Sequence, residues 1–230
     1  MSSITESSTS CAATTDPVID YDDPTECQAR RKAEEILLAV KQGHADGNND
    51  EDDLDEVDAA DNQKASTLER AQELKQQGNK YFNEKEWDEA IKYYTLAIDI
   101  HPQESTYYSN RSVCYLQLEL FTEALHDAVV AQTLNPTWSK AYYRIAMSRY
   151  ELKKYKLAAL AAYQGLYYLH HQQQQLQHQG KSPTNSNTDK KSREELKRIL
   201  RTCAQHARQE YQQDQQKTVA ETQIDDPQLR

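Results

Sequence analysis

The chain has 230 residues, with 27 Lys and Arg against 37 Asp and Glu, a net charge of −10, and that length allows one modest domain with tails. The acidity is local: residues 1–66 carry 5 basic and 17 acidic side chains, residues 67–171 carry 12 of each, and residues 172–230 carry 10 and 8. These numbers exclude the dense basic surface that nucleic acid requires, and no apolar run approaches the ~20 residues that cross a bilayer.

Only five glycines and six prolines occur, which favours helix over sheet. Residues 1–22 are rich in Ser, Thr and Asp and show no secretory signal. They open an acidic, disordered tail over 1–66. Within it, Asp23-Pro24-Thr25-Glu26 forms a helix start, with Asp as cap and Pro in the first position. Ala29, Ala33, Ile36, Leu37 and Val40 follow at helical spacing, giving a short amphipathic helix at 24–41 without an evident partner. An acidic loop runs from Gly43 to Asp61. Ser66 and Glu69 then form a capping box, and helix pairs are expected at 67–84 and 87–100, 105–118 and 121–134, 139–151 and 155–171.

These pairs share a period of 34. Ala90, Ala124 and Ala158 are 34 apart, as are Gly78, Ser112 and Ala146, and Ala97, Ala131 and Gly165. Tyr81 and Tyr115, and Pro102 and Pro136, keep the same spacing, while position 170 is His and the aromatic column ends at Arg149. Small residues let antiparallel helices approach, and proline ends the second helix of a pair because it cannot continue the hydrogen-bond ladder. In length, small/aromatic pattern and terminal proline, residues 71–171 resemble the tetratricopeptide repeat. The resemblance implies an all-α, three-repeat superhelix: repeats at 71–104, 105–138 and 139–172 in a domain over 67–171.

A Gln/His/Ser-rich, low-complexity loop follows at 172–191. Ser192 and Glu195 make another capping box, and Leu196, Ile199, Leu200, Cys203, Ala204, Ala207 and Tyr211 run along one face. This segment, 192–213, is the expected C-terminal capping helix, because a stack of pairs exposes the apolar side of its last member. Residues 214–230 read as a tail.

The first helices of the pairs also carry a second face, at repeat positions 2, 5, 6 and 9. It holds Lys75 and Asn79, then Asn110, then Lys140 and Arg144, all donors with no acid among them. Such a face suits carboxylates, since Lys and Arg give charge-assisted hydrogen bonds and Asn amides add neutral donors. The stretches Leu74-Lys75-Gln76-Gln77-Gly78-Asn79-Lys80, Tyr108-Ser109-Asn110-Arg111-Ser112 and Lys140-Ala141-Tyr142-Tyr143-Arg144 resemble the dicarboxylate-clamp repeats of the Hsp-organising protein family. That resemblance implies peptide binding by these five residues. The ligand would be the terminal Glu-Glu-Val-Asp tail of the seventy- and ninety-kilodalton heat-shock chaperones.

The expected protein is therefore a cytoplasmic, non-enzymatic co-chaperone adaptor, with no cofactor, no metal, and neither nucleic acid nor membrane as partner. A repeat scaffold that binds another peptide in a larger assembly is the alternative. His170, His171 and His178 lie among glutamines without a carboxylate or thiol at ligand spacing. Cys11, Cys27, Cys114 and Cys203 are far apart and read as free thiols in a reducing compartment. No phosphate loop, nucleophile elbow or metalloprotease motif is present.

Overall fold

The computed structural model describes residues 23–45, 54–178 and 187–224. The disordered readings of 1–22 and 225–230, the centre of the acidic loop and residues 179–186 lie outside them. The described residues form eight α-helices: α1 (Pro24–Ala45), α2 (Leu54–Glu84), α3 (Trp87–Ile100), α4 (Ser105–Gln117), α5 (Phe121–Leu134), α6 (Ser139–Glu151), α7 (Tyr155–His178) and α8 (Asn187–Ile224). Neighbours in sequence from α2 to α8 pack on one another, and α1 packs along α5. The architecture is all-α, as expected from composition and period.

The turn inside each pair is built the same way three times. Lys85, Glu119 and Lys153 take left-handed backbone conformations, with φ of 65°, 60° and 61°. Behind them the N–H groups of Glu86, Leu120 and Lys154 reach the carbonyls of Tyr81, Tyr115 and Arg149 at 3.0, 2.9 and 2.9 Å. These bonds satisfy the last carbonyls of the first helix. The second helices of the first two pairs end just before Pro102 and Pro136, after bonds from His101 to Ala97 and from Asn135 to Ala131. Position 170 has no proline, so nothing interrupts the ladder there, and α7 runs through the Gln/His-rich stretch to His178.

Two helices begin earlier than the capping boxes suggest. Ser66 lies inside α2 and Ser192 inside α8. Ser66 is preceded by good helix formers, and each helix has acids near its new N-terminus (Asp55 and Glu56 in one, Asp189 in the other), which the helix dipole favours. The box marks one permissible start, and the longer helix includes it.

The core runs through the stack. Tyr107, Tyr108, Leu125, Val129, Tyr142 and Ile145 are fully buried. The Arg111 guanidinium donates to both Asp127 oxygens at 2.7 and 2.9 Å and to Thr95 Oγ1 at 2.9 Å, tying α3, α4 and α5 together. Six consecutive residues of α5, Asp127 to Gln132, are buried. That is more than a full turn, so α5 has no solvent face over this span.

The covering element is α1. Thr25 N–H donates to Asp23 Oδ1 at 2.8 Å, so Asp23 caps the helix. Ala29 and Ala33 are fully buried in the same core as Leu125 and Val129. Glu26 is buried too, and its carboxylate receives a two-pronged contact from Arg149 of α6, with Nε to Oε1 at 3.0 Å. Asp23 pairs with Lys154 at the start of the next helix. Arg149 occupies the column that holds Tyr81 and Tyr115 in the other repeats. It departs from the aromatic pattern because α1 brings it a carboxylate.

At the other end α8 packs on α7 and α6. Leu196, Ile199 and Cys203 are buried. Leu196 lies close to Gly165 and Tyr142, where a Cβ added at Gly165 would sit 3.2 Å from both. His206 stacks on Tyr155 at 3.9 Å.

Breaking a buried pair leaves an uncompensated charge, at a cost of about 3–5 kcal/mol, whereas replacing both partners by apolar groups is often near neutral. Glu26→Ala should therefore lower the urea midpoint strongly, and the double variant Glu26→Leu with Arg149→Met should recover most of the loss. Equal destabilisation by the single and double variants would contradict the pairing as the source of the effect. Removing α8 exposes Leu196 and Ile199, worth roughly 1.5–3 kcal/mol each, against a total of about 5–15. A chain ending at residue 180 should melt well below the full chain or aggregate, as followed by circular dichroism.

Candidate functional site

The five donors come from three helices: Lys75 and Asn79 from α2, Asn110 from α4, Lys140 and Arg144 from α6. All five are half-buried. Lys75 and Asn79 share one face of α2, and Lys140 and Arg144 one face of α6, because residues four apart on a helix stand one turn above the other. The helices are held at fixed separation by α3 and α5, which pack between them in sequence order.

Asn79 and Asn110 meet directly. Asn110 Nδ2 donates to Asn79 Oδ1 at 3.3 Å across the boundary between repeats one and two. The same oxygen accepts from the Tyr94 hydroxyl at 2.8 Å. Tyr94 is buried, and its ring lies against Gly78, where an added Cβ would fall 2.7 Å from Cε1. Glycine at 78 is thus required by the close approach of α3 to α2, and that approach delivers the hydroxyl to the next residue.

Arg144 lies deeper than its surroundings suggest. Burial pushes its pKa down, with Tyr143 and Cys114 beside it acting in the opposite direction. Its guanidinium carbon sits 5.0 Å from the Tyr143 ring centre, and its Nε is buried without a hydrogen-bond partner. Among the described residues, the side chains of Lys75, Lys140 and Arg144 have no acidic partner, unlike Arg111 and Arg149. The site gathers side-chain donors with no carboxylate among them, and chemically it can hold an anion with at least two acceptor groups.

Sequence reasoning identified the donors and missed Tyr94 as a contributor to them. Tyr94 fits the aromatic consensus as a packing residue, and the one signal was a hydroxyl where phenylalanine would pack equally well. Among the described residues, no three His, Cys, Asp or Glu side chains come together to hold a metal. Cys114 and Cys203 are free thiols.

Comparison with known proteins agrees with the repeat fold. Residues 35–146 match the family described as serine/threonine-protein kinase BSK1-like, TPR repeats. The chain is 46% identical to rat serine/threonine-protein phosphatase 5 over 98 residues, 43% of this chain and 19% of that protein. It is 37% identical to the Hsp70-Hsp90 organizing protein of Triticum aestivum over 98 residues, 43% of this chain and 17% of that one. The chain thus spans less than a fifth of these relatives. PcrH, solved in complex with the chaperone binding region of PopD, superposes with a TM-score of 0.51 at 12% identity over 60% of this chain and 94% of that one, a likeness of fold alone. The chain carries tetratricopeptide repeats.

Beneath the donors lie groups that burial keeps protonated. Burial pushes the Cys114 thiol from 9.0 up to about 12, with Arg144 acting against it, and the Tyr108 phenol from 10.0 up to about 12. Folding raises both values, so the folded chain holds these protons more tightly than the unfolded one. Their stabilisation is full below about pH 9 and is lost as pH rises toward 12. The melting temperature should be flat from pH 7 to 9 with respect to these groups and fall steadily above. A flat profile to pH 11 in a thermal melt series would contradict their burial.

Proposed function

We propose that this repeat chain is a non-enzymatic adaptor whose groove grips the free C-terminal Glu-Glu-Val-Asp tail of a cytosolic heat-shock chaperone of the seventy- or ninety-kilodalton class. The supporting observation is Arg144, one helical turn from Lys140, whose buried Nε has no hydrogen-bond partner and which has no acidic partner among the described residues, together with the bonded Asn79–Asn110 pair. A peptide C-terminus that is an aspartate offers two carboxylates within one residue, which matches donors split between repeat one and repeat three. The likeness to an Hsp70-Hsp90 organizing protein supports the same ligand.

In this reading Lys75, Asn79 and Asn110 hold one carboxylate, while Lys140 and Arg144 hold the other. Residues 67–171 form the binding domain, with 192–213 as its cap and α1 covering α5. The likeness to phosphatase 5 covers 19% of that protein, and the reading assigns this chain a binding role. No helix among the described residues is long and apolar enough to cross a membrane, in keeping with a cytoplasmic role.

Hydrogen bonds to charged groups contribute about 1.5–3 kcal/mol each, so losing one lowers affinity roughly 10- to 100-fold. Lys140→Ala and Arg144→Ala should each abolish measurable calorimetric binding of a micromolar tail peptide while leaving the helical signal intact. Lys92→Ala is the control, because Lys92 pairs with Glu89 on the exposed side of α3. Amidating the peptide's C-terminus should weaken it comparably. An amidated peptide that binds as well as the free acid would replace the clamp with a groove for internal peptide segments, the scaffold alternative.

A further inference from the structure

Asn79 is a proposed clamp residue whose side chain is held from behind. Its Oδ1 has two lone pairs, and both are engaged: one by the Tyr94 hydroxyl at 2.8 Å, the other by Asn110 Nδ2 at 3.3 Å. Its two N–H bonds are therefore turned away from both partners. Were the amide rotated by half a turn, Asn79 Nδ2 would face Asn110 Nδ2, donor against donor, and the Tyr94 proton would lose its acceptor.

We infer that Tyr94 is a positioning residue that locks the Asn79 amide with its donors toward the groove, and that this lock makes the site select a carboxylate over a carboxamide at the ligand's C-terminus. The inference rests on the clamp reading and concerns one residue outside it. A carboxylate only accepts hydrogen bonds, whereas a carboxamide turns an N–H2 toward at least one of the donors. An Asn free to flip could satisfy either ligand by offering its own carbonyl. An Asn held by a buried hydroxyl cannot, so the wrong ligand leaves a donor facing a donor.

The surroundings leave Tyr94 little freedom to do anything else. The side chain is 1% exposed, so it does not itself reach a ligand. Its ring is pinned against Gly78. Burial raises the phenol's pKa, with Cys114 adding to the rise and Asn110 nearby opposing it, so the proton stays on the oxygen throughout the physiological range. Tyr94 and Asn110 thus donate to the same Asn79 oxygen, and that shared acceptor links repeat one to repeat two.

The test is the ratio of affinities for a tail peptide with a free acid and the same peptide amidated, measured by calorimetry and, for the weaker ligand, by competition. Tyr94→Phe keeps the ring against Gly78 and should melt close to the parent. One neutral hydrogen bond corresponds to roughly a three- to tenfold effect. Tyr94→Phe should therefore shrink the acid-to-amide ratio by about that factor, and should shrink it no further in an Asn79→Ala background. Equal weakening of both peptides, or an unchanged ratio while Asn79→Ala weakens the acid, overturns the positioning role and leaves the clamp standing. No effect of Asn79→Ala on the acid peptide overturns the clamp and the positioning role together. Should Tyr94→Phe unfold, nitrogen-15 spectra of the parent protein decide: the Asn79 side-chain amide should shift with the acid peptide and much less with the amide, and equal shifts overturn the proposal.

Discussion

Helices in this chain come together where side chains are smallest, and the rest of the structure follows from that spacing. Gly78 admits the Tyr94 ring at a distance that a Cβ would block. At the corresponding place in repeat two, Ser112 donates its hydroxyl to the Ala124 carbonyl at 2.8 Å, one small residue bonded to the backbone of another. Ala90, Ala97, Ala124, Ala131, Ala146 and Ala158 have no exposed surface. Close-packed contacts of this kind have almost no slack. Asn79 follows Gly78 directly, and Asn110 and Arg144 each stand two residues before the small residue of their own repeat. The packing that holds the pairs together therefore also sets the distances between donors, and the groove needs no loop to shape it.

A stack built this way is unfinished at its edges, and the chain closes them by two different means. At the C-terminal edge an amphipathic helix offers Leu196, Ile199 and Cys203 to the last pair, which is ordinary apolar burial. Against α5 the covering helix is more polar, and its contact includes a fully buried ion pair between Glu26 and Arg149. Replacing such a pair by apolar residues often costs nothing, so its contribution lies elsewhere. An apolar patch tolerates sliding, whereas Arg149 can meet Glu26 in one register only, with Lys154 and Asp23 fixing the helix end.

Much of this was legible in the sequence, because both the period of 34 and the donor face depend on residues within one repeat or at equal steps between repeats. The helix pairs lie where the small residues and prolines place them. What was not legible depends on long-range partners or on missing stop signals. Glu26 and Arg149 are 123 positions apart, and each alone reads as an oddity: an acid on a helix without a partner, and a base in an aromatic column. The length of α7 depends on a proline that is absent at 170, and absence sets no boundary. The early starts of α2 and α8 show a capping box overridden by its own upstream neighbours. For the site, the donor residues were visible as types, but the contact between Asn79 and Tyr94 joins two helices of one pair, and packing alone explains a tyrosine there.

Three arginines of the first helices are withdrawn from water, and they are treated differently. Arg111 meets Asp127 and Arg149 meets Glu26, each in a two-pronged contact within the fold. Arg144 has an aromatic ring on one side, a buried thiol near it, and no carboxylate among the described residues. A charge in that position is held at a cost in desolvation, which a partner removes. The first two arginines show that this chain supplies an acid where structure requires one. At Arg144 it supplies neutral groups, and the adjacent Lys140 adds a second cation in place of a counter-ion. Under the proposed function, the charge of a groove that withholds acids from its most desolvated cation is balanced on binding, by an anionic ligand. In the same proposal the two asparagines, already bonded to each other, set how that anion is oriented.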